Sequence, residues 1–389
     1  MNIPSVFRLR LLSYCGKVSV MRKNSAFDME KFSRDDMHAI DAKFEAQKIA
    51  FAPLAFQAVR ALLETGIMRI IDESGEKGIS ALDISKKSGI SEYGVNVLTE
   101  MAVGMHVLLL KTVDGIEYLS LSKTGWFLLE DNLTKANFNF TNDICYKGAF
   151  DLLDSVKTGK PQGLKVFGSQ WTTVYEALSS LPDREKKSWF DFDHFYSDIA
   201  FPEALPIVYK NKPEKLLDIG GNTAKWAVAS CRFDPDVHVT IVDLPGQTAV
   251  AEKNAREAGF ENRISTYSGN ILAETTVLPP EPDAVWMSQF LDCFSLHQIT
   301  KILTKVHLAA KADTDVYVLE PLWDKQKFEA ESYSLQATSL YFTCIANGNS
   351  KMYRYGELVD AIEQAGFELK TAHHNLGSNC YSLLVFRKK

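Results

Sequence analysis

The stretch that most constrains this chain is Lys215-Leu-Leu-Asp-Ile-Gly-Gly-Asn-Thr-Ala-Lys-Trp226. Leu216, Leu217 and Ile219 flank Asp218; Gly220 and Gly221 break the run; a helix-compatible segment opens near Thr223. The order reads as strand, tight turn, helix. A second apolar run, Val237-His-Val-Thr-Ile-Val242, closes in Asp243, 25 residues after Asp218. A strand, a glycine turn and a helix, followed by an acid ending the next strand, form the nucleotide-binding half of a doubly wound α/β sheet. A carboxylate there accepts hydrogen bonds from both ribose hydroxyls. The plainer alternative, a Gly-Gly turn that only links strand to helix, leaves the placement of Asp243 unexplained.

The turn also narrows the nucleotide. It lacks the later glycines of G-x-G-x-x-G, and Asn222 and Ala224 crowd the backbone N–H groups that a pyrophosphate needs. S-adenosylmethionine (SAM) carries no phosphate. Its ammonium group needs a polar anchor, which Asp218 or nearby carbonyls supply, and its carboxylate suits a helix N-terminus.

Leu-Leu-Asp-Ile-Gly-Gly followed by Ile241-Val-Asp-Leu-Pro245 resembles the SAM site of the dimeric small-molecule O-methyltransferases, caffeate-type plant enzymes and bacterial relatives among them. Their loop reads Asp-x-Gly-Gly-Gly-x-Gly and their second motif Asp-Leu-Pro; this chain departs at Asn222 and Ala224. The likeness spans about residues 40–389. It implies a Rossmann-like SAM-dependent methyltransferase domain behind an N-terminal winged-helix dimerisation domain. It also implies a SAM site made of Asp218, Gly220, Gly221, Asp243, Leu244, Gly269, Asn270, Ile271, Ser288 and Gln289. Within Ser265-Thr-Tyr-Ser-Gly-Asn-Ile271, Asn270 stands where the family has an Asp near the adenine, and Asn both donates and accepts.

Composition bounds the rest. At 389 residues there is room for two or three domains. The net charge of −6 argues against a nucleic-acid partner. No apolar run is long enough for a membrane span. Six scattered cysteines form no C-x-x-C, so neither a metal site nor a disulfide framework is expected, and a reducing cytoplasm fits. Residues 1–30 read as a loose tail or an over-long start, with Met21 an alternative beginning.

Residues 31–130 read as the dimerisation domain. Helical apolar spacing runs over 36–72 through Phe44, Ile49, Phe51, Leu54, Phe56, Val59, Leu62 and Leu63, with Pro53 kinking the segment or starting a new helix. The stripe is either the domain's own core or a face shared with a second subunit; the second reading is preferred. Two short helices over 80–101 turn at Ser88-Gly89. Val107–Lys111 and Ile116–Leu121 then alternate around Asp114-Gly115, a hairpin signal. Alone, this pattern suggests a DNA-binding regulator. The second helix, however, offers Glu92, Tyr93, Asn96, Thr99 and Glu100 and no cation, which suits phosphate poorly.

Residues 131–205 read as a helical bridge rich in aromatics; some of these are plain core, and a stacked group beside a catalytic domain can also wall an aromatic-substrate pocket. Phe192-Asp-His-Phe-Tyr-Ser197 occupies the place of a Phe-Asn-x-x-Met segment that the family sets against substrate. The acceptor-binding candidates are Trp171, Phe195, Tyr196, Phe290, Phe342 and Asn347. Residues 206–389 read as the catalytic domain. Strands are expected at 215–219, 238–243, 263–267, 283–289, 315–320, 367–373 and 381–387, and helices at 223–231, 247–258, 296–309 and 355–365.

The family's fourth strand leads into Leu-His-Asp-Trp-Ser, whose His takes the acceptor's proton. Here the segment is Met287-Ser-Gln-Phe-Leu-Asp-Cys-Phe-Ser295, which sets Asp292 on that His. Glu320 matches one bracing glutamate, and Ser350 stands in the place of the other. An ordinary Asp near pKa 3.9 takes a phenol proton uphill by about 6 units, about 8 kcal/mol, against about 5 kcal/mol for His. Asp292 therefore needs burial to raise its pKa, and Phe290, Leu291 and Phe294 offer it. The alternatives are that Asp292 caps the following helix or binds a backbone N–H, and that Glu320 is structural; His194 is a second candidate base. Three functions stay open: methylation of a small aromatic hydroxyl, methylation of a phenolic ring carbon or acidic oxygen, and a non-catalytic SAM or metabolite regulator. The expected partners are a phenolic small molecule and a second copy of the chain, with no nucleic acid, membrane or metal.

Overall fold

The computed structural model describes residues 29–389, apart from the side chains of residues 31, 179 and 194–198. It divides into two compact units. One comprises Glu30–Tyr146 with Pro182–Phe195; the other holds Lys147–Leu181 and Tyr196–Lys389. The stretch read as one bridge is shared between them.

In the first unit, helices span Ala39–Ala50, Ala52–Glu64 and Ile67–Glu73. Pro53 lies in the first turn of the second helix, where its missing N–H has no intrahelical partner to lose. It therefore starts a helix rather than kinking one. Ala81–Ser88 begins with the Ser80 hydroxyl accepting from the Asp83 N–H at 3.2 Å and stops at left-handed Gly89. Glu92–Gly104 follows, then a hairpin of β1 (Leu108–Val113) and β2 (Ile116–Leu121). Asp114 and Gly115 both have positive φ, as a two-residue turn matching strand twist requires. Leu62, Ile67, Met68, Ile71, Ile84, Val95 and Leu108 fill the core. The helical stripe is split: Val59 and Leu62 are buried, whereas Ile40, Phe44, Ile49, Phe51 and Leu54 face solvent. On Glu92–Gly104, Tyr93, Val97 and Met101 are exposed at four-residue spacing, and no Lys or Arg joins them.

The second unit is built on seven strands in the order β5-β4-β3-β6-β7-β9-β8. They are β3 (Lys215–Ile219), β4 (His238–Asp243), β5 (Ile264–Ser268), β6 (Ala284–Ser288), β7 (Asp315–Glu320), β8 (Phe367–Leu376) and β9 (Tyr381–Lys388). β9 runs antiparallel to β7 and β8; the other pairings are parallel. Strand order reverses between β3 and β6, so the crevice beyond their carboxyl ends is the ligand-binding position of such a sheet. Val285, Met287, Val316, Val318, Leu384 and Phe386 pack against the helices Leu296–Ala309 and Tyr355–Gln364. Trp226 stacks on Trp286 with ring centroids 3.7 Å apart, and Phe201 meets Trp226 edge-on.

The strands fall within a residue or two of their sequence positions, save that β8 runs to Leu376. Two helical features differ. The helix after β3 starts at Lys225, because Asn222 and Ala224 adopt left-handed backbone, φ 47° and 66°. The helix Glu329–Tyr341 has no counterpart in the sequence reading. It buries Ser332, Leu335 and Thr338 while exposing Tyr333 and Leu340, so polar and apolar positions are partly exchanged and the usual periodicity is blurred.

Candidate active site

The turn after β3 is set by two close approaches. A Cβ on Gly220 would lie 2.2 Å from the Phe290 ring, and one on Gly221 would lie 2.7 Å from Asp218 Oδ2. Gly220 also has a φ of 79°. Both positions therefore need glycine, one for backbone conformation as well as space. Asp218 is 2 % exposed, and its Oδ2 is buried with no hydrogen-bond partner among the described residues. Burial, and then the charge of Asp243, push its carboxyl up to about 8.

Asp243 closes β4 and secures the turn. Its Oδ2 accepts from the Asn222 N–H at 2.9 Å and its Oδ1 from the Leu244 N–H at 2.7 Å. Burial raises its pKa despite those bonds. Gly269 donates its N–H to the Asp243 carbonyl. Asn270 uses its side-chain oxygen on the Leu272 N–H, and Ile271 is buried in the core. At the end of β6, the Ser288 hydroxyl and the Gln289 amide oxygen are buried without partners among the described residues. Gln289 holds φ at 46°, a strained backbone for a side chain of its size.

Asp292 sits in a 3-10 turn, Leu291–Cys293, and is 5 % exposed. It does not cap the next helix: Ser295 does, in a capping box with Gln298. The loop is held from three directions. Glu320 Oε1 accepts from the N–H groups of Phe290 and Leu291 at 3.0 and 2.8 Å. Asn347 Nδ2 donates to the Cys293 carbonyl at 2.9 Å, and the Tyr353 hydroxyl donates to the Phe294 carbonyl at 2.6 Å. Glu320 thus braces the backbone of the loop, while its Oε2 is buried and unpaired among the described residues. Desolvation lifts Asp292 to about 6; it lifts Glu320 well above the carboxylate range, with Asp292 adding to the effect. The Cys293 thiol donates to Asp292 Oδ1 at 3.4 Å.

The remaining sequence candidates divide. Phe290 lies on the glycine turn and meets Phe294 edge-on. Asn347 commits its amide: Nδ2 goes to Cys293 and Ser350, and Oδ1 accepts from the Asn349 and Ser350 N–H groups. It positions the loop. Phe342 is buried at the head of a π-turn, Phe342–Ala346, and Trp171 is half-buried. The side chains of His194, Phe195 and Tyr196 lie outside the described residues. The sequence reading did not single out Tyr175 beyond its aromatic character; its hydroxyl is buried beside Cys293. No sequence signal links it to a loop more than a hundred residues away.

Comparison with known proteins fits this geometry. Residues 43–115 match a Dimerisation2-like domain, and residues 150–368, more than half the chain, match an O-methyltransferase domain. The chain belongs to the O-methyltransferase domain family. It is similar to an L-tyrosine C(3)-methyltransferase of Streptomyces lavendulae, 22 % identical across 83 % of this chain and 86 % of that protein. A 3-hydroxy-5-methyl-1-naphthoate 3-O-methyltransferase of Streptomyces sahachiroi is 28 % identical over 39 % of this chain and 42 % of its own. The apo S-adenosylmethionine-dependent methyltransferase SibL shares the fold with a TM-score of 0.66 at 23 % identity, over 88 % of this chain and 98 % of its own. The O-methyltransferase NcsB1, solved with SAM and 2-hydroxy-5-methyl naphthoic acid, gives 0.59 at 20 % identity, over 86 % and 96 %.

Proposed function

We propose that this family member holds SAM between the β3 turn and Asp243 and methylates the hydroxyl of a small aromatic acceptor, with Asp292 as the base. One observation carries the reading: Asp218 Oδ2 in β3, and Ser288 Oγ and Gln289 Oε1 at the end of the adjacent β6 and just beyond it, are buried polar atoms without partners among the described residues. Leaving such groups unpaired costs free energy unless a ligand satisfies them. SAM fits that set. Its cationic amino-acid end suits Asp218, and its ribose suits the remaining lone pairs of Asp243. When bound it supplies an electrophilic methyl group on a sulfonium.

The chain's own residues handle the proton. With Asp292 near 6, the gap to a phenol near 10 is about 4 units, about 5 kcal/mol, close to what a His would leave. The pair cannot ionise together cheaply, so Glu320 keeps its proton while Asp292 ionises. The bonds from Glu320, Asn347 and Tyr353 fix the loop, which places the carboxylate without reorganisation.

The Dimerisation2-like match and the exposed Ile40, Phe44, Ile49, Phe51 and Leu54 support a homodimer through the helical unit. In this reading the helix-hairpin unit is a winged-helix dimerisation module, and the enzyme acts in cytoplasmic secondary metabolism. Methylation of a ring carbon is the second reading, favoured by the name of the Streptomyces lavendulae relative. Incubation with methyl-labelled SAM and a panel of phenols tests both, with fragment masses separating oxygen from carbon products. Label transfer to oxygen supports the main reading and transfer to carbon the second. SAM binding without transfer to any acceptor would leave the regulator.

A further inference from the structure

The Asp292 carboxyl is buried, and four titratable groups act on it from the elements packed around it. They are its neighbour Cys293, Glu320 at the end of β7, Tyr353, and Tyr175 in the short helix Val174–Ala177. None of these four is a cation, so burial favours the neutral acid and no opposite charge among them offsets it. One of them does offer a proton at a defined contact. Cys293 Sγ lies 3.4 Å from Asp292 Oδ1, and its thiol donates there. Burial, and then the charge of Asp292, hold that thiol well above its ordinary value, so it keeps its proton. The Tyr175 hydroxyl lies against the same sulfur, and burial keeps it protonated too. A phenol facing a sulfur whose proton is already committed can only donate to it. Phenol, thiol and carboxylate thus form one donor chain that ends on Oδ1. The loop itself is fixed by other bonds, from Glu320, Asn347 and Tyr353 to backbone atoms of Phe290, Leu291, Cys293 and Phe294. Those bonds are independent of the Cys293 side chain.

A buried carboxylate base meets two opposed demands. It must bind a proton more tightly than an ordinary Asp, yet be ionised near neutral pH to work at all. A cation beside it would draw it back towards an ordinary carboxylate, and no donor at all would leave it protonated. A thiol is a weak donor and lies between those extremes. We propose that Cys293 is a positioning residue for Asp292: its thiol, backed by the Tyr175 hydroxyl, holds Oδ1, fixes the orientation of the carboxylate and stabilises its ionised form. The bond becomes charge-assisted, and stronger, as Asp292 loses its proton. With Oδ1 committed to the thiol, Oδ2 is the oxygen that receives the next proton. The inference rests on the reading of Asp292 as the base but is tested on the carboxyl itself, so either can fail alone.

The test uses the full-length protein with carbon-13 in its Asp carboxyls, the Asp292 resonance being the one lost in Asp292→Asn. In Cys293→Ala the titration midpoint of that resonance should rise by about half a unit to one unit, because a donor to the ionised form is gone. Cys293→Ser keeps a donor in place and should return the midpoint most of the way to the wild-type value. Infrared spectra of wild type minus Cys293→Ala isolate the Cys293 S–H stretch. That band should move to lower frequency as Asp292 ionises and stay still in the Asp292→Asn background. S-adenosylhomocysteine affinity by calorimetry should be the same in all three Cys293 proteins, which separates this role from a structural one. Equal Asp292 midpoints in wild type and Cys293→Ala would overturn the assignment. So would an S–H band indifferent to Asp292, a Ser variant that titrates like Ala, or loss of S-adenosylhomocysteine binding in Cys293→Ala. A midpoint that rises while the pH profile of methyl transfer stays fixed would uphold the role of Cys293 and sink the reading of Asp292 as the base.

Discussion

Asp218→Asn should flatten the pH dependence of stability. The Asp218 carboxyl rises from 3.8 to about 8 in the folded chain, because it is buried and faces Asp243. Between those values the folded chain holds a proton that the unfolded chain has released. Stability therefore falls as pH rises through the window, at about 1.4 kcal/mol per unit for this group. Asp243, Asp292 and Glu320 are shifted the same way by burial and steepen the fall. They are common to both proteins and drop out of the difference. Asn keeps the shape and cannot titrate, and any fixed cost of the amide also cancels between two pH values. From pH 5 to pH 8 the wild type without cofactor should lose about 3–4 kcal/mol more than the variant. Urea unfolding at pH 5, 6, 7 and 8 measures this. Midpoints that shift in parallel would show that Asp218 is not a buried titrating carboxyl, and the account of the turn would fail with it.

Other consequences are smaller. Replacing Asn222 and Ala224 together by Gly relieves two left-handed residues at about 1–2 kcal/mol each, less about 0.8 kcal/mol for the buried Ala224 methyl and the entropy of two glycines. The double variant should gain about 1 kcal/mol, seen as a higher urea midpoint; a loss of stability would contradict the strain argument. Asp243→Ala removes an acceptor for the ribose and for two backbone N–H groups, so SAM affinity by calorimetry should fall by about 1.5–3 kcal/mol. Indifference would move the ribose elsewhere. Leu54→Asp places a charge on the exposed helical face and should convert a dimer to monomer in analytical ultracentrifugation. A wild type that sediments as a monomer at micromolar concentration would remove the dimer reading.

The middle of the sheet was legible in the sequence because β3, β6 and β7 are buried on both faces and read as short apolar runs between turn residues. Lys215–Ile219 carries an acid, Asp218, just before its end, and His238–Asp243 ends in one, and both places follow from strand topology. Asp292 was reachable through the resemblance that sets it on the family's His, with its position after a strand and its apolar neighbours in support. Its support was not. The bonds from Glu320 to the Phe290 and Leu291 amides and from Tyr353 to the Phe294 carbonyl join residues far apart in the chain and leave no local pattern. The same holds for Tyr175, one ring among many in an aromatic stretch. Helix Glu329–Tyr341 escaped because Ser332 and Thr338 face inward and Tyr333 and Leu340 outward, against the usual partition.

The central claim is that Asp292 receives the acceptor's proton during methyl transfer from SAM. Single-turnover methylation by wild type and Asp292→Asn, followed from pH 5 to 8 with calorimetric SAM affinity alongside, tests it most directly. Wild-type rates should rise with pH through an apparent value near 6, because the carboxylate works only when ionised. The Asn variant should bind SAM as the wild type does, turn over about 10²-fold more slowly and lose that rise. An Asn variant that matches the wild-type rate and keeps the same pH profile would contradict the claim.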